Sequence, residues 1–151
     1  MHRLPVELKN HIFELLLPPR DEWGEIPDTQ RTVMPTYLAS ICRGWRDIAW
    51  SDPFLWSTAH IALGRSDSTP DPFNFVHDWI QRSQTLPLTF HIQVVDRGKR
   101  GLERSRKALY PVLDAMSQGS NRLHSLSLDI PFVILSAFQH RNLRWHHLRR
   151  L

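Results

Sequence analysis

Prolines divide this chain into short segments, and the segments between them carry helix signals. Pro5 stands where a helix starts, because the N–H a proline lacks would be unpaired in the first turn anyway. Leu8, Ile12, Leu15 and Leu16 follow at i, i+4, i+7 and i+8, one face of a helical period, and Phe13 and Leu17 widen that stripe. Pro18-Pro19 ends it, since the residue before a proline avoids helical backbone. Residues 18–34 are acidic and lack a period, which predicts a loop. A second helix is predicted from Pro35 to Trp50, with Leu38, Ile41, Cys42, Trp45, Ile48 and Ala49 as its apolar face. Ser51-Asp52-Pro53 reads as a cap and a first-turn proline, opening a short helix through Phe54, Leu55 and Trp56.

Beyond Trp56 the pattern changes to mixed helix and strand. Thr58–Leu63 predicts a short strand, and residues 64–72, rich in Gly, Ser, Asp and Pro, predict a linker. Asp71-Pro72 restarts a helix bearing Phe73, Val76, Trp79 and Ile80. Leu88, Phe90, Ile92 and Val94 alternate with Thr89, His91 and Gln93, the period of a half-buried strand. A basic loop then leads to a predicted helix over Glu103–Ser117, buried through Leu109, Val112, Leu113 and Met116 and stopped at Gly119. Leu123, Leu126 and Leu128 give Leu-x-x-Leu-x-Leu. Ile130–Phe138 reads as a turn and short helix. Leu148 and Leu151 repeat the spacing of Leu123 and Leu126 within the roughly 20–29-residue period of leucine-rich repeats.

Charge is divided unevenly along the 151 residues. Residues 1–96 hold 8 basic and 12 acidic groups, and residues 97–151 hold 11 basic and 3 acidic groups, so the net +4 belongs to the back third. Arg97, Lys99, Arg100, Arg104, Arg106 and Lys107 are its densest part. That charge favours a nucleic-acid binder. The acidic front and the absence of a recognition-helix pattern oppose one, and a solvated loop and first helical turn is the simpler reading of the run. No apolar run is long enough for a membrane helix, and the N-terminus has no secretory signal pattern. A single cysteine, Cys42, allows no internal disulfide and fits a reducing compartment. Cys42 falls on an apolar stripe, which predicts a small buried hydrophobe rather than a nucleophile. The 9 histidines form no HExxH, no CxxC accompanies them, and the glycines are scattered. No catalytic, cofactor or metal site is expected, and His140 and His146-His147 lack the partners a metal needs.

Residues 4–56 resemble an F-box. The matching residues are Leu4-Pro5-x-Glu7-Leu8, Ile12-Phe13 and Leu16, then Ile41-Cys42-Arg43-x-Trp45-Arg46-Asp47-Ile48-Ala49 and Ser51-Asp52-Pro53-x-Leu55-Trp56. The similarity is closest to the large F-box families of mushroom-forming fungi. Trp79, Arg82, Ser83, Leu86, Pro87 and Leu88 match the segment that follows in those families, and Asn121–Leu128 resembles their entry into a leucine-rich array. The resemblance implies an all-α three-helix F-box over 1–63 with an inserted loop at 18–34, a linker at 64–72, and over 73–151 an α/β region like the start of a leucine-rich repeat array. Members of those families continue much further, so a truncated or degenerate copy is expected.

The same resemblance implies a function without chemistry. An F-box docks a receptor onto the Skp-type adaptor of a cullin-RING (SCF) ubiquitin ligase, and the receptor contributes proximity between substrate protein and ligase. Leu4, Pro5, Leu8 and Ile12 would present the first docking surface. Leu38, Ile41, Cys42, Trp45, Leu55 and Trp56 would be shared between adaptor and core, with plain core packing as the simpler role for each. Arg43 and Arg46 would steer association. The C-terminal region would recruit an unknown substrate protein. The alternative is an adaptor-binding fragment with no substrate arm. A cytoplasmic or nuclear location follows from either.

Overall fold

The computed structural model describes residues 5–17, 29–64 and 71–135. The chain is a mixed α/β protein in which helices flank a three-stranded, wholly parallel sheet. In order come α1 (Val6–Leu16), α2 (Thr29–Ile41), α3 (Arg43–Ser51), a 3-10 turn at Pro53–Trp56 and β1 (Thr58–Leu63). α4 (Pro72–Arg82), β2 (Leu88–Val94), α5 (Lys99–Gln118), a 3-10 turn at Ser120–Arg122, β3 (Leu123–Asp129) and the short α6 (Phe132–Leu135) follow. Leu4, Leu148, Leu151, His140, His146 and His147 lie outside the described residues, as do most of the predicted loop and linker.

Three sequence expectations are corrected. The second helix starts at Thr29, so Pro35 lies inside it and is buried there. The helix forgoes one backbone hydrogen bond at Pro35, while Met34 and Leu38 pack on the core and Thr32 Oγ1 accepts the His60 N–H at 2.7 Å. That last bond covers a donor on the outer edge of β1. The predicted helix also breaks in two at Cys42, whose backbone is extended (φ −159°, ψ 168°). The Arg46 side chain bridges the break, its Nε–H donating to the Ala39 carbonyl at 2.9 Å, one of the carbonyls a helix end leaves unpaired. Finally, α5 begins at Lys99 rather than Glu103, so most of the predicted basic loop is helical.

The sheet has the order β1-β2-β3. Register pairs Ala59 with Phe90, His60 with His91 and Ile61 with Ile92, and then Phe90 with Leu126, His91 with Ser127 and Ile92 with Leu128. One face is therefore Ala59, Ile61 and Leu63 beside Phe90, Ile92 and Val94 and beside Leu126 and Leu128. The other is Thr58 and His60 beside Thr89, His91 and Gln93 and beside Ser125, Ser127 and Asp129. The apolar face joins Val76, Trp79 and Ile80 of α4 and Leu109, Val112, Leu113 and Met116 of α5 in one buried cluster. Strand starts at Thr58, Leu88 and Leu123 are spaced more widely than the roughly 20–29 residues of a leucine-rich repeat.

The front helices share that core. The Trp56 ring meets Trp79 edge-on at 4.7 Å and its Nε1–H donates to the Ala49 carbonyl at 2.7 Å. The Arg82 guanidinium of α4 lies over both Trp50 (5.0 Å) and Trp56 (4.9 Å). Arg122 closes the C-terminus of the same helix, α4. It donates to the Ile80 carbonyl (2.8 Å), Ser83 Oγ (3.0 Å) and the Leu86 carbonyl (3.4 Å).

Candidate docking surface

The apolar stripe of α1 faces outward. Phe13 and Leu17 enter the core, and the Phe13 ring packs on Trp45 of α3 with centroids 4.9 Å apart. Leu8, Ile12, Leu15 and Leu16 are instead 51%, 39%, 72% and 47% exposed, and Pro5 beside them is exposed too. At about 100° per residue these five positions fall within an arc of roughly 100° on the helix. The periodicity of α1 thus marks a real face, and the core takes the narrower one next to it. Glu7 in the first turn complements the helix dipole, and Pro5 contributes its carbonyl to the Lys9 N–H at 3.2 Å.

α2 has the same two-sided character. Leu38 and Ala39 are buried, while Val33, Tyr37 and Ile41, at i, i+4 and i+8, point outward. Cys42 is exposed at the break between α2 and α3, which corrects the expectation of a buried thiol. The break explains this: a continuous helix would have kept Cys42 in line with Leu38 and Trp45, whereas the extended residue turns it out.

The sequence-derived docking residues therefore divide into two sets. Pro5, Leu8, Ile12, Ile41 and Cys42 lie at the surface, and Trp45 is half-buried against Phe13. Leu38, Leu55 and Trp56 are core residues with almost no surface of their own. Leu16 matched the motif without being read as a docking residue, and Leu15, Val33 and Tyr37 are exposed apolar residues that the motif did not include; they are recognisable only once the buried side of each helix is known. Arg43 is exposed, but the guanidinium of Arg46 is engaged with Ala39 and is not simply a free steering charge.

Polar groups under this surface are few. Asp52 caps the 3-10 turn, its Oδ1 accepting the Phe54 N–H at 3.0 Å, while Oδ2 is buried without a partner. Burial raises the Asp52 carboxyl above the usual range. The Phe54 bond opposes the shift, and the nearby Glu14 charge adds to it. Glu14 itself approaches His11 Nδ1 at 3.5 Å.

Sequence reasoning placed His91 on the solvent side of a half-buried strand. The structure buries it beside His60. Burial, and secondarily the charge of His60, push the His91 imidazole down to about 4. Among the described residues no group of three or more His, Cys, Asp or Glu is placed to hold a metal ion, and no helix is long and apolar enough to cross a membrane. Comparison with protein-family models, with curated proteins and with solved structures finds no match to this chain.

Proposed function

We propose that this chain is a non-catalytic, receptor-type subunit of a cullin-RING (SCF) ubiquitin ligase that docks on a Skp-type adaptor through α1–α3. The outward apolar row of α1 carries the reading. A monomer gains nothing by turning Leu8, Ile12, Leu15 and Leu16 to water, and clustered exposed apolar side chains mark partner surfaces. Covering each large side chain in full is worth roughly 1.5–3 kcal/mol. Half-exposed residues contribute less, yet four on one helix face suffice for a docking core. The residues that match the F-box pattern, Pro5, Leu8 and Ile12, lie in this row, with Ile41 and Cys42 exposed at the end of α2.

In this reading α1–α3 are the F-box, and the strand–helix units from β1 onward are a divergent opening of a leucine-rich array. Leu123 and Leu126 fill the core from β3, as the repeat pattern requires. The C-terminal region is the substrate arm. The chain places a bound protein near the ligase and performs no bond chemistry.

Co-expression with a fungal Skp-type adaptor, followed by calorimetry, tests the proposal. The wild-type chain is expected to bind 1:1. The Leu8→Asp/Ile12→Asp variant, altered only at exposed sites, is expected to stay folded and to bind at least 100-fold more weakly. A folded wild type that fails to bind, or a variant that binds unchanged, overturns the reading.

A further inference from the structure

The N-terminal half of α5 carries five exposed cations, Lys99, Arg100, Arg104, Arg106 and Lys107, with one carboxylate, Glu103, among them. Among the described residues none of the five is ion-paired, whereas the adjacent Arg97 is held by Asp129 at 2.8 Å. The first turn of α5 has no acidic residue; the carboxylate at its N-terminus is Asp96, which accepts the Gly98 N–H at 2.9 Å and lies against Gly101, and Lys99 and Arg100 add positive charge beside it. At about 100° per residue, Lys99 and Arg106 lie on one flank and Arg100, Arg104 and Lys107 on the other, an arc of roughly 160°. Along the axis the five span about 12 Å. Ser105, Leu109 and Val112 pack the opposite side of α5 into the core, which leaves the cations on a convex ridge.

The chemistry of this ridge selects its partner. A protein partner draws affinity from apolar or aromatic anchors seated in pockets. Between residues 97 and 109 there is no exposed large hydrophobic side chain, and the nearest, Val95 and Tyr110, lie at its margins. A phosphate backbone needs no anchor, because neutralising it releases condensed counterions. Single strands are held largely by stacking on successive aromatic rings, and this face offers only Tyr110, at its far end. We propose that the exposed face of α5 over Lys99–Lys107 binds the phosphate backbone of duplex nucleic acid without reading its sequence. The proposal is independent of adaptor docking, which uses the opposite end of the chain.

The test is fluorescence anisotropy of the full chain with a labelled DNA duplex of about 20 base pairs and arbitrary sequence, at salt from about 50 to 200 mM. Five phosphate contacts set the upper bound of α5's share: a log–log salt slope of about −4.5, or roughly a 500-fold loss of affinity across that range. The Arg100→Gln/Arg104→Gln/Lys107→Gln variant changes only exposed side chains. It is expected to keep the wild-type circular dichroism, to bind at least 10-fold more weakly at low salt, and to lose up to about 2.7 from the slope. If that variant does not fold, Arg104→Gln/Lys107→Gln is read in its place, with up to about 1.8 lost from the slope. No duplex binding by wild type at about 50 mM salt overturns the proposal, and so does a folded variant with unchanged affinity and slope. A polyglutamate peptide that binds as tightly as the duplex, with the same response to the variant, also overturns it and points to an acidic protein instead.

Discussion

His91 makes the stability of this fold depend on pH in a window that can be isolated. Its imidazole is 9% exposed and lies opposite His60 across the β1–β2 pair. Its proton affinity falls from the ordinary 6.5 to about 4 on folding. Between those values the unfolded chain binds the proton and the folded chain does not, so stability falls as pH drops from 6.5 toward 4. Above about pH 7 this group contributes no slope. Full conversion of the shift at 1.36 kcal/mol per unit gives about 3.4 kcal/mol. Residual hydration of the ring screens part of it, which leaves about 1–2 kcal/mol lost between pH 7.5 and 4.5. Asp52 acts in the opposite sense. Its carboxyl is raised on folding above the ordinary 3.8, so protonating it as pH falls favours the native state. Urea unfolding at pH 7.5, 6.0, 5.0 and 4.5, for wild type and His91→Gln, measures the effect as the difference between the two proteins, which cancels the carboxylates. The variant is expected to lose about 1–2 kcal/mol of the pH dependence. An imidazole resonance of His91 that titrates near 6.5 in the folded protein, or parallel pH profiles for the two proteins, would refute the reasoning.

The remaining predictions concern the joints of the fold. Trp56→Ala removes the Trp79 contact, the bond to Ala49 and one face of the Arg82 stack; it is expected to cost about 3–5 kcal/mol by chemical denaturation. Arg122→Met removes a donor from the Leu86 carbonyl and Ser83 Oγ and leaves the Ile80 carbonyl with the Ser83 hydroxyl alone; a loss of about 1–3 kcal/mol is expected, and faster amide exchange at the end of α4 would locate it. Gly64 has φ +89°, and a Cβ there would lie 2.7 Å from Ser105 Oγ, while a Cβ at Gly44 in α3 meets nothing within 4 Å. Gly64→Ala is therefore expected to lower the melting temperature, and Gly44→Ala to stabilise by up to about 1 kcal/mol. Equal effects at the two sites would contradict this account.

Much of the element order was legible because its signals are local. Asp71-Pro72 opens α4, with Asp71 accepting from the Phe73 N–H at 3.2 Å, and the alternation from Leu88 to Val94 gives β2. What the sequence hid was set by tertiary contacts. Pro35 reads as a helix start, yet the bond from His60 N–H to Thr32 and the burial of Met34 and Leu38 extend α2 back past it. The stripe from Leu38 to Ala49 reads as one helix, yet the chain breaks at Cys42, and no proline marks the spot. Periodicity also reports a face without saying what lies against it. For α1 the better-spaced set, Leu8, Ile12, Leu15 and Leu16, is the outer one, and Phe13 with Leu17 reaches the core. Of the candidate docking residues, Pro5, Leu8 and Ile12 were found by motif and are exposed. Leu16 was in the motif too, but its outward placement, like that of Leu15, Val33 and Tyr37, required knowledge of which side each helix buries.

The two candidate surfaces break local rules in different ways, and that difference yields a common test. On α1, apolar side chains meet water where polar ones would serve a monomer better. On α5, Lys99 and Arg100 add positive charge at a helix N-terminus that Asp96 only partly offsets through the Gly98 N–H, each at a cost of about a few tenths of a kcal/mol to the isolated chain. If these residues were merely neutral surface, replacing them would leave stability and solubility as they are. If they are held for partners, variants that abolish binding should equal or exceed the wild type in stability when alone. Leu8→Asp adds an acid to the first turn of α1, and Lys99→Gln removes a cation from the first turn of α5. Each is expected to raise the unfolding free energy by a few tenths of a kcal/mol to about 1 kcal/mol. Leu8→Asp should do so while losing only adaptor binding, and Lys99→Gln while losing only duplex affinity. A variant that destabilises the isolated chain would show that its residue supports the fold rather than a partner.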